Sequence, residues 1–98
     1  MKQLTEYTRE DLEPKTVSEL EWHYMEAFKE AIVNARVDSD SRLRMITNIL
    51  FLRNDHREKR TIHAQINIRL EEALRQRNFD ESVIYRNMLA HYEQHIMG

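Results

Sequence analysis

Apolar residues recur at three- and four-residue steps along most of the chain, which is the spacing of a helix that buries one face. The stripe is clearest after residue 16, where it contains Leu20, Tyr24, Met25, Phe28, Ala31, Ile32 and Ala35. Thr16 and Ser18 each precede a glutamate by three residues, the spacing of a capping box at a helix start. The pattern therefore predicts a first long helix over residues 16–37.

The residues before this helix carry few apolar side chains and include the single proline, Pro14. Proline biases the residue before it away from helical geometry, so a helical turn after Thr8 should end at Glu13. Residues 1–15 are therefore expected to form an irregular arm.

A second helix is predicted over residues 41–53, because Val37 to Ser41 has the composition of a break that ends in an N-cap. Its buried side holds four aliphatic residues: Leu43, Ile46, Ile49 and Leu50. The following Asn54-Asp55-His56 contains neither glycine nor proline, so it predicts only a weak break. A helix that continues through this segment stays an alternative.

Two further helices are predicted within residues 56–96, joined near Phe79. The first packs through Ile62, Ile66, Leu70, Ala73 and Leu74, and the second through Ile84, Met88, Tyr92 and Ile96. The short join makes the pair an antiparallel hairpin. Since no strand-type alternation persists, the sequence predicts an all-α fold. We expect a single helical domain over residues 1–98, with three to four helices in a small bundle that dimerisation could complete.

The join places an aromatic residue between two helices, in Asn78-Phe79-Asp80-Glu81. With Asp80 as the N-cap of the last helix, Phe79 and Ile84 occupy the two positions of a hydrophobic staple. Phe79 is thus expected to fix the turn, and anchoring of a partner protein by the same ring stays open.

Five residues around the join keep a characteristic order and spacing: Asn78, Phe79, Asp80, Arg86 and Leu89. With the apolar helix upstream, residues 66–92 resemble the UVR motif, a helical hairpin of bacterial excision-repair subunits and of Clp-family chaperones and their adaptors. Ser82 and Val83 stand where that motif has two alanines, and Asn87 stands where it has aspartate. The resemblance implies a non-catalytic docking element, with partner contacts at Asn78, Phe79, Asp80, Arg86 and Asn87. More weakly, Leu70 to Leu74 resembles the IDEAL domain of small proteins from Gram-positive bacteria.

The net charge of −2 is unevenly spread. Residues 1–40 hold five Lys and Arg against ten Asp and Glu, a net −5, whereas residues 41–98 hold ten against seven, a net +3. The acidic half disfavours nonspecific nucleic-acid binding by the whole chain and suits a basic partner surface.

The absence of cysteine excludes disulfides and thiol catalysis. No apolar run approaches the roughly 20 residues of a membrane span, so a cytoplasmic protein with no membrane partner is expected.

Neither a metal site nor an active site is predicted. His91 and His95 share one helix face, and His63 lies opposite them in the hairpin, so three imidazoles could meet near Glu93. Most histidines in helical proteins bind no ligand, so no metal or other cofactor is expected. The sequence contains no Gly-rich phosphate loop and no HExxH motif, so the chain is not expected to be an enzyme.

Two other surfaces are candidates for binding. Trp22 lies off the apolar stripe of the first helix, where it is either an interface anchor or a second core contact. A basic segment contains Arg53, Arg57, Lys59 and Arg60. Acidic residues interrupt this segment and no aromatic residue is interleaved, so it supports only an alternative function: a small helical nucleic-acid-binding regulator that uses residues 42–69.

The sequence therefore favours a non-catalytic protein–protein interaction module. Such a chain would act as an adaptor, an inhibitor or a regulator of a larger bacterial machine, in one version as a phage-type inhibitor of a nucleic-acid enzyme. Two apolar faces on short helices also favour a homodimer.

Overall fold

The computed structural model describes residues 7–53 and 55–97. The chain divides into two units, Met1–Asn54 and Asp55–Gly98. Every regular element of the described residues is helical, so the all-α prediction is confirmed. Five α-helices and a terminal π-helix form there, which is more than the three to four helices predicted, because a short turn of helix precedes Pro14. The single domain over residues 1–98 stays a prediction.

The first unit contains three helices: α1 (Arg9–Leu12), α2 (Val17–Val33) and α3 (Ser41–Leu52). Each begins at a residue whose side chain accepts a hydrogen bond from the first turn: Thr8, Thr16 and Asp40. Helices α1 and α2 both pack on α3. Their shared core includes Leu12, Leu20, Tyr24, Phe28, Ala31, Leu43, Ile46 and Leu50.

Helix α2 ends at Val33, before the predicted boundary at residue 37. The cause is a left-handed backbone at Ala35, which has a φ of 55°. The next N–H, that of Arg36, donates to the carbonyl of Ala31 at 2.7 Å, the long closure of a Schellman turn. Ala35 is consequently exposed rather than part of the buried stripe.

Arg53 ties the N-terminal arm to the end of α3. Its guanidinium Nη2 donates to the backbone carbonyls of Glu13 and Lys15 at 3.1 and 2.6 Å. Glu13 keeps helical dihedrals, φ −55° and ψ −41°, although Pro14 follows it, so the expected bias away from helical geometry is wrong at this residue. Helix α1 nevertheless ends before Pro14, as predicted.

The weak break after α3 separates two helices. Helix α3 ends at Leu52, and α4 (His56–Arg75) begins after Asp55. The Asp55 carboxylate accepts a 3.0 Å hydrogen bond from the N–H of Arg57, which caps the new helix. The alternative of one continuous helix is therefore wrong, and Asn54 itself lies outside the described residues.

The second unit is a helical hairpin of α4, α5 (Phe79–Tyr92) and a closing π-helix (Glu93–Met97). The Tyr92 hydroxyl at the end of α5 donates to the carbonyl of Lys59 near the start of α4, at 2.7 Å. Since the last turn of one helix meets the first turns of the other, the two helices are antiparallel, as predicted.

The core of the hairpin contains Ile62, Ile66, Ala73, Ser82, Tyr85, Met88, Tyr92 and Ile96. Leu70 and Ile84 are only half-buried, and Leu74 is 42% exposed, so the predicted packing stripe is wrong at these positions. On α5 the buried face begins at Ser82 and Tyr85, which turns Ile84 towards its edge. The small Ala73 and Ser82 side chains fill the core nearest the join.

Candidate protein-docking surface

Asn78 builds the join between α4 and α5. Its N–H donates to the carbonyl of Ala73 at 2.8 Å, after Arg77 has adopted a left-handed backbone with a φ of 56°. Its side-chain Oδ1 accepts a hydrogen bond from the N–H of Glu81 at 3.3 Å. Its carbonyl accepts the N–H of Ser82 at 3.0 Å. One residue thus closes one helix and opens the next, which fixes the geometry of the tip.

Asn78 rather than Asp80 is therefore the N-cap of α5. Both residue types cap helices well, and the Schellman exit from α4 brings Asn78 to the capping position first. Phe79 then becomes the first residue of α5, and its side chain is 65% exposed. The predicted staple between Phe79 and Ile84 is wrong, since it requires the phenylalanine to precede the cap.

The solvent side of α5 carries a stripe of four residues at helical spacing: Phe79, Val83, Arg86 and Asn87. We call these four residues the outer face of α5. They lie on the opposite side of the helix from the buried Tyr85 and Met88. Val83 is 51% exposed, so an apolar pair occupies the first turns of this face.

Arg86 and Asn87 come after this apolar pair on the outer face and add a cation and an amide. Arg86 has neither an ion-pair nor a hydrogen-bond partner among residues 7–53 and 55–97. The Asn87 side-chain amide donates to the carbonyl of Val83 at 2.8 Å, which orients it along the helix. Aromatic residues and arginine are both enriched at protein interfaces, and here Phe79 and Arg86 stand about two turns apart on one helix face.

Five of the six predicted partner contacts therefore lie on one end of the hairpin. Phe79, Arg86 and Asn87 belong to the outer face, and Asn78 and the exposed Asp80 stand at its start. Val83 was missed by the sequence reasoning. Its four-residue distance from Phe79 was the available signal.

Trp22, the sixth predicted contact, belongs to α2 of the first unit. Its side chain is 53% exposed, so it is not a second core contact within that unit. The centroid of its ring lies 4.9 Å from that of His23, with the two planes at 81°.

Of the four cations predicted for the alternative function of nucleic-acid binding, two are exposed and two are engaged within the fold. Arg57 and Arg60 are exposed on α4. Lys59 is buried, and the guanidinium of Arg53 is engaged by backbone carbonyls. Two of the four predicted cations are thus part of the folded framework.

The histidines of the hairpin make two separate contacts and do not form a cluster of three imidazoles. His63 Nε2 lies 3.1 Å from Glu93 Oε2, and the rings of His91 and His95 stand 4.5 Å apart. No group of three or more His, Asp or Glu residues able to hold a metal occurs in the part of the chain that the structure describes.

The chain matches no family model, no curated protein and no solved structure. The likeness of residues 66–92 to the UVR motif stays a prediction. Among the helices formed by residues 7–53 and 55–97, none is both long enough and apolar enough to cross a membrane.

Proposed function

We propose that this chain is a non-catalytic docking protein that binds another protein through the outer face of α5 and acts as an adaptor, an inhibitor or a regulator. The observation that carries the proposal is the exposure of Phe79, which is 65% open to solvent at a join fixed by three hydrogen bonds of Asn78. A backbone held in this way loses little conformational freedom when a partner covers the ring that it carries.

The Phe79 ring contributes more free energy to binding a partner than to folding the hairpin. Burying a phenylalanine side chain stabilises a structure by about 1.5–3 kcal/mol relative to leaving it exposed. Most of that free energy is not used within the hairpin, because the buried face of α5 is formed by Ser82, Tyr85, Met88 and Tyr92. A partner that covers Phe79 and Val83 would obtain it at the interface.

The side chains of the outer face indicate which chemical groups the partner surface should present. Phe79 and Val83 fit an apolar groove that accepts one side of a helix, a common mode of recognition. Arg86 lies two turns from Phe79, so a carboxylate at the far end of the groove would complete the interface. The docking role that the UVR likeness implies for these residues agrees with this picture.

The first experiment identifies the partner and tests its chemical class. Tagged protein, its Phe79→Ala variant and its Ile68→Ala variant would each be used to capture proteins from bacterial lysate treated with nuclease. Ile68 is a matched control because it is an exposed apolar residue, 44% open, on α4. The proposal expects a protein retained by wild type and by Ile68→Ala and lost with Phe79→Ala, while all three chains unfold at the same temperature.

A direct nucleic-acid binder would behave differently. It would shift labelled DNA or RNA with a steep dependence on salt, and the shift would be lost when Arg57 and Arg60 become alanine. That result, with Phe79→Ala binding as well as wild type, would replace the docking proposal. Light scattering of the same samples reports whether the outer face instead pairs two copies of the chain in a homodimer.

A further inference from the structure

Two histidines lie side by side at the end of α5 that is far from the join. His91 belongs to the last turn of α5, and His95 belongs to the π-helix that follows it. Their ring centroids are 4.5 Å apart, with the two planes at 46°. His91 is half-buried and His95 is exposed, so solvent and dissolved ions reach the pair. The docking function of the outer face uses neither residue.

The π-helix aligns the two histidines along the helix axis. In an α-helix, residues four apart are offset by about 40° around the axis, because each turn holds 3.6 residues. A π-turn holds more residues than an α-turn, so the π-helix over Glu93–Met97 reduces this offset. Such turns are rare and are frequently found at functional sites. The geometry of this turn therefore directs attention to the histidine pair.

The separation of the rings matches that of two imidazoles bound to one metal ion. An ion–nitrogen distance of about 2.0–2.1 Å places each ring centroid about 3.2 Å from the ion. Two such rings at about 90° then have centroids about 4.5 Å apart, whereas rings at the tetrahedral angle have centroids about 5.2 Å apart. The 4.5 Å between His91 and His95 fits the first arrangement, which tetragonal Cu²⁺ and Ni²⁺ prefer.

The ligand type decides which ions suit the pair. Neutral imidazole is the commonest metal ligand in proteins and binds through either of its two nitrogens. It suits Cu²⁺, Ni²⁺ and Zn²⁺, whereas Mg²⁺ and Ca²⁺ prefer oxygen. The third histidine of the hairpin, His63, is engaged elsewhere, with its Nε2 3.1 Å from Glu93 Oε2. The pair therefore supplies two ligands, and water fills the other positions on the ion.

We propose that His91 and His95 together bind one divalent transition-metal ion, with Cu²⁺ bound more tightly than Ni²⁺ or Zn²⁺. The bound ion links the last turn of α5 to the π-helix, so it stabilises the end of the hairpin where Ile96 packs in the core. His91 lies twelve residues after Phe79, which is about three helical turns. Because the two surfaces are separate, metal binding and docking can each fail without the other.

The test titrates the untagged full chain with Ni²⁺ in a calorimeter at about pH 7.5, since only neutral imidazole binds a metal. We expect one Ni²⁺ per chain and no binding of Mg²⁺. His91→Gln and His95→Gln should each weaken Ni²⁺ binding by about 10- to 100-fold, because the second ligand of a chelate binds at a high effective concentration. The double variant should bind like either single variant. His56→Gln and His63→Gln, which change histidines of α4, should bind Ni²⁺ like wild type.

A second measurement identifies the bound atoms. Electron paramagnetic resonance of the chain with one equivalent of Cu²⁺ should show splitting from two imidazole nitrogens in wild type and from one in His95→Gln. Ni²⁺ should also raise the unfolding midpoint of wild type and leave that of His95→Gln unchanged, because an ion stabilises only the state that binds it.

Three results would overturn the proposal. The first is equal Ni²⁺ affinity of wild type and His95→Gln, a comparison in which the altered residue is exposed and the chain stays folded. The second is loss of Ni²⁺ binding with His56→Gln or His63→Gln, which would assign the ion to other ligands. The third is the absence of saturable binding of both Ni²⁺ and Cu²⁺ up to about 1 mM, a concentration at which a contribution of about 4 kcal/mol still registers.

Discussion

The hydroxyl of Tyr92 donates a buried 2.7 Å hydrogen bond to the backbone carbonyl of Lys59. This bond joins the end of α5 to the second turn of α4, so it closes the open end of the hairpin just as Asn78 closes the tip. Replacing Tyr92 by phenylalanine keeps the ring and removes only this hydrogen bond. We expect the free energy of unfolding of the hairpin to fall by about 0.5–1.5 kcal/mol, measured by urea denaturation. An Ile68→Ala control should change it by less than about 0.5 kcal/mol, as usual for exposed sites.

Arg77 adopts a left-handed backbone conformation, with a φ of 56°, in the turn between α4 and α5. A side chain with a Cβ atom is disfavoured in this region by about 1–2 kcal/mol, whereas glycine is not. Arg77→Gly should therefore stabilise the chain by up to about 1 kcal/mol, seen as a higher midpoint of denaturation. Arg75→Gly, in the last turn of α4, should lower the midpoint instead, because helical glycine costs about 1 kcal/mol. Equal shifts for the two variants would contradict this account of the turn.

Because Asn78 caps α5 and Asp80 does not, replacing each of them by alanine should change the free energy of unfolding by a different amount. Removing an N-cap side chain costs about 0.5–2 kcal/mol, and Asn78 is the residue whose Oδ1 accepts the N–H of Glu81. Asn78→Ala should lower the free energy of unfolding by that amount, and Asp80→Ala, which loses only a favourable charge in the first turn, by about 0.3–1 kcal/mol. If Asp80→Ala were the more damaging change, the cap would be the one that the sequence first suggested.

The burial of His23 makes the first unit sensitive to acid. Its pKa lies below the ordinary value of about 6.5, so between that value and the lowered pKa the unfolded chain binds a proton that the folded chain does not. Stability must rise with pH wherever the unfolded state holds more protons. The stabilising term is therefore complete above about pH 6.5 and is lost as the pH falls through the lowered pKa.

Urea denaturation followed by Trp22 emission measures this effect between about pH 8 and 5. The lower limit stays above the window of Glu19, whose pKa is lowered by its hydrogen bond to the Thr16 side chain and by Lys15, and whose contribution is lost only in stronger acid. His23→Phe should flatten the pH dependence. A His23→Phe chain with an unchanged slope would show that another group titrates.

Three helix starts could be predicted from the sequence, and two helix ends could not. Thr16, Asp40 and Asp55 cap their helices with their own side chains, so the signal is local and visible. The ends at Ala35 and Arg77 are left-handed turns made without glycine, so the residue that usually marks them is missing. The predicted first helix, residues 16–37, is accordingly longer than α2, which ends at Val33.

The sequence pointed to residues 78–80, 86 and 87 but did not predict the orientation of Phe79, and their role in binding stays a prediction. Asn78 and Asp80 are both good caps, and the choice between them depends on how α4 ends, which is a property of two helices together. That choice moves Phe79 from a staple to an exposed first helical residue. His23 was out of reach for a different reason, since its burial depends on contacts with Tyr7 and Trp22 that no periodicity reveals.

The central claim is that the exposed ring of Phe79 serves binding rather than folding. The direct measurement is the dissociation constant of the captured partner, by calorimetry, for wild type, Phe79→Ala and Ile68→Ala, beside the unfolding midpoint of each. The account predicts that Phe79→Ala weakens binding by about 10- to 100-fold, as for an interface hot spot, with an unchanged midpoint and with Ile68→Ala like wild type. A Phe79→Ala variant that binds its partner like wild type but unfolds more easily would contradict it.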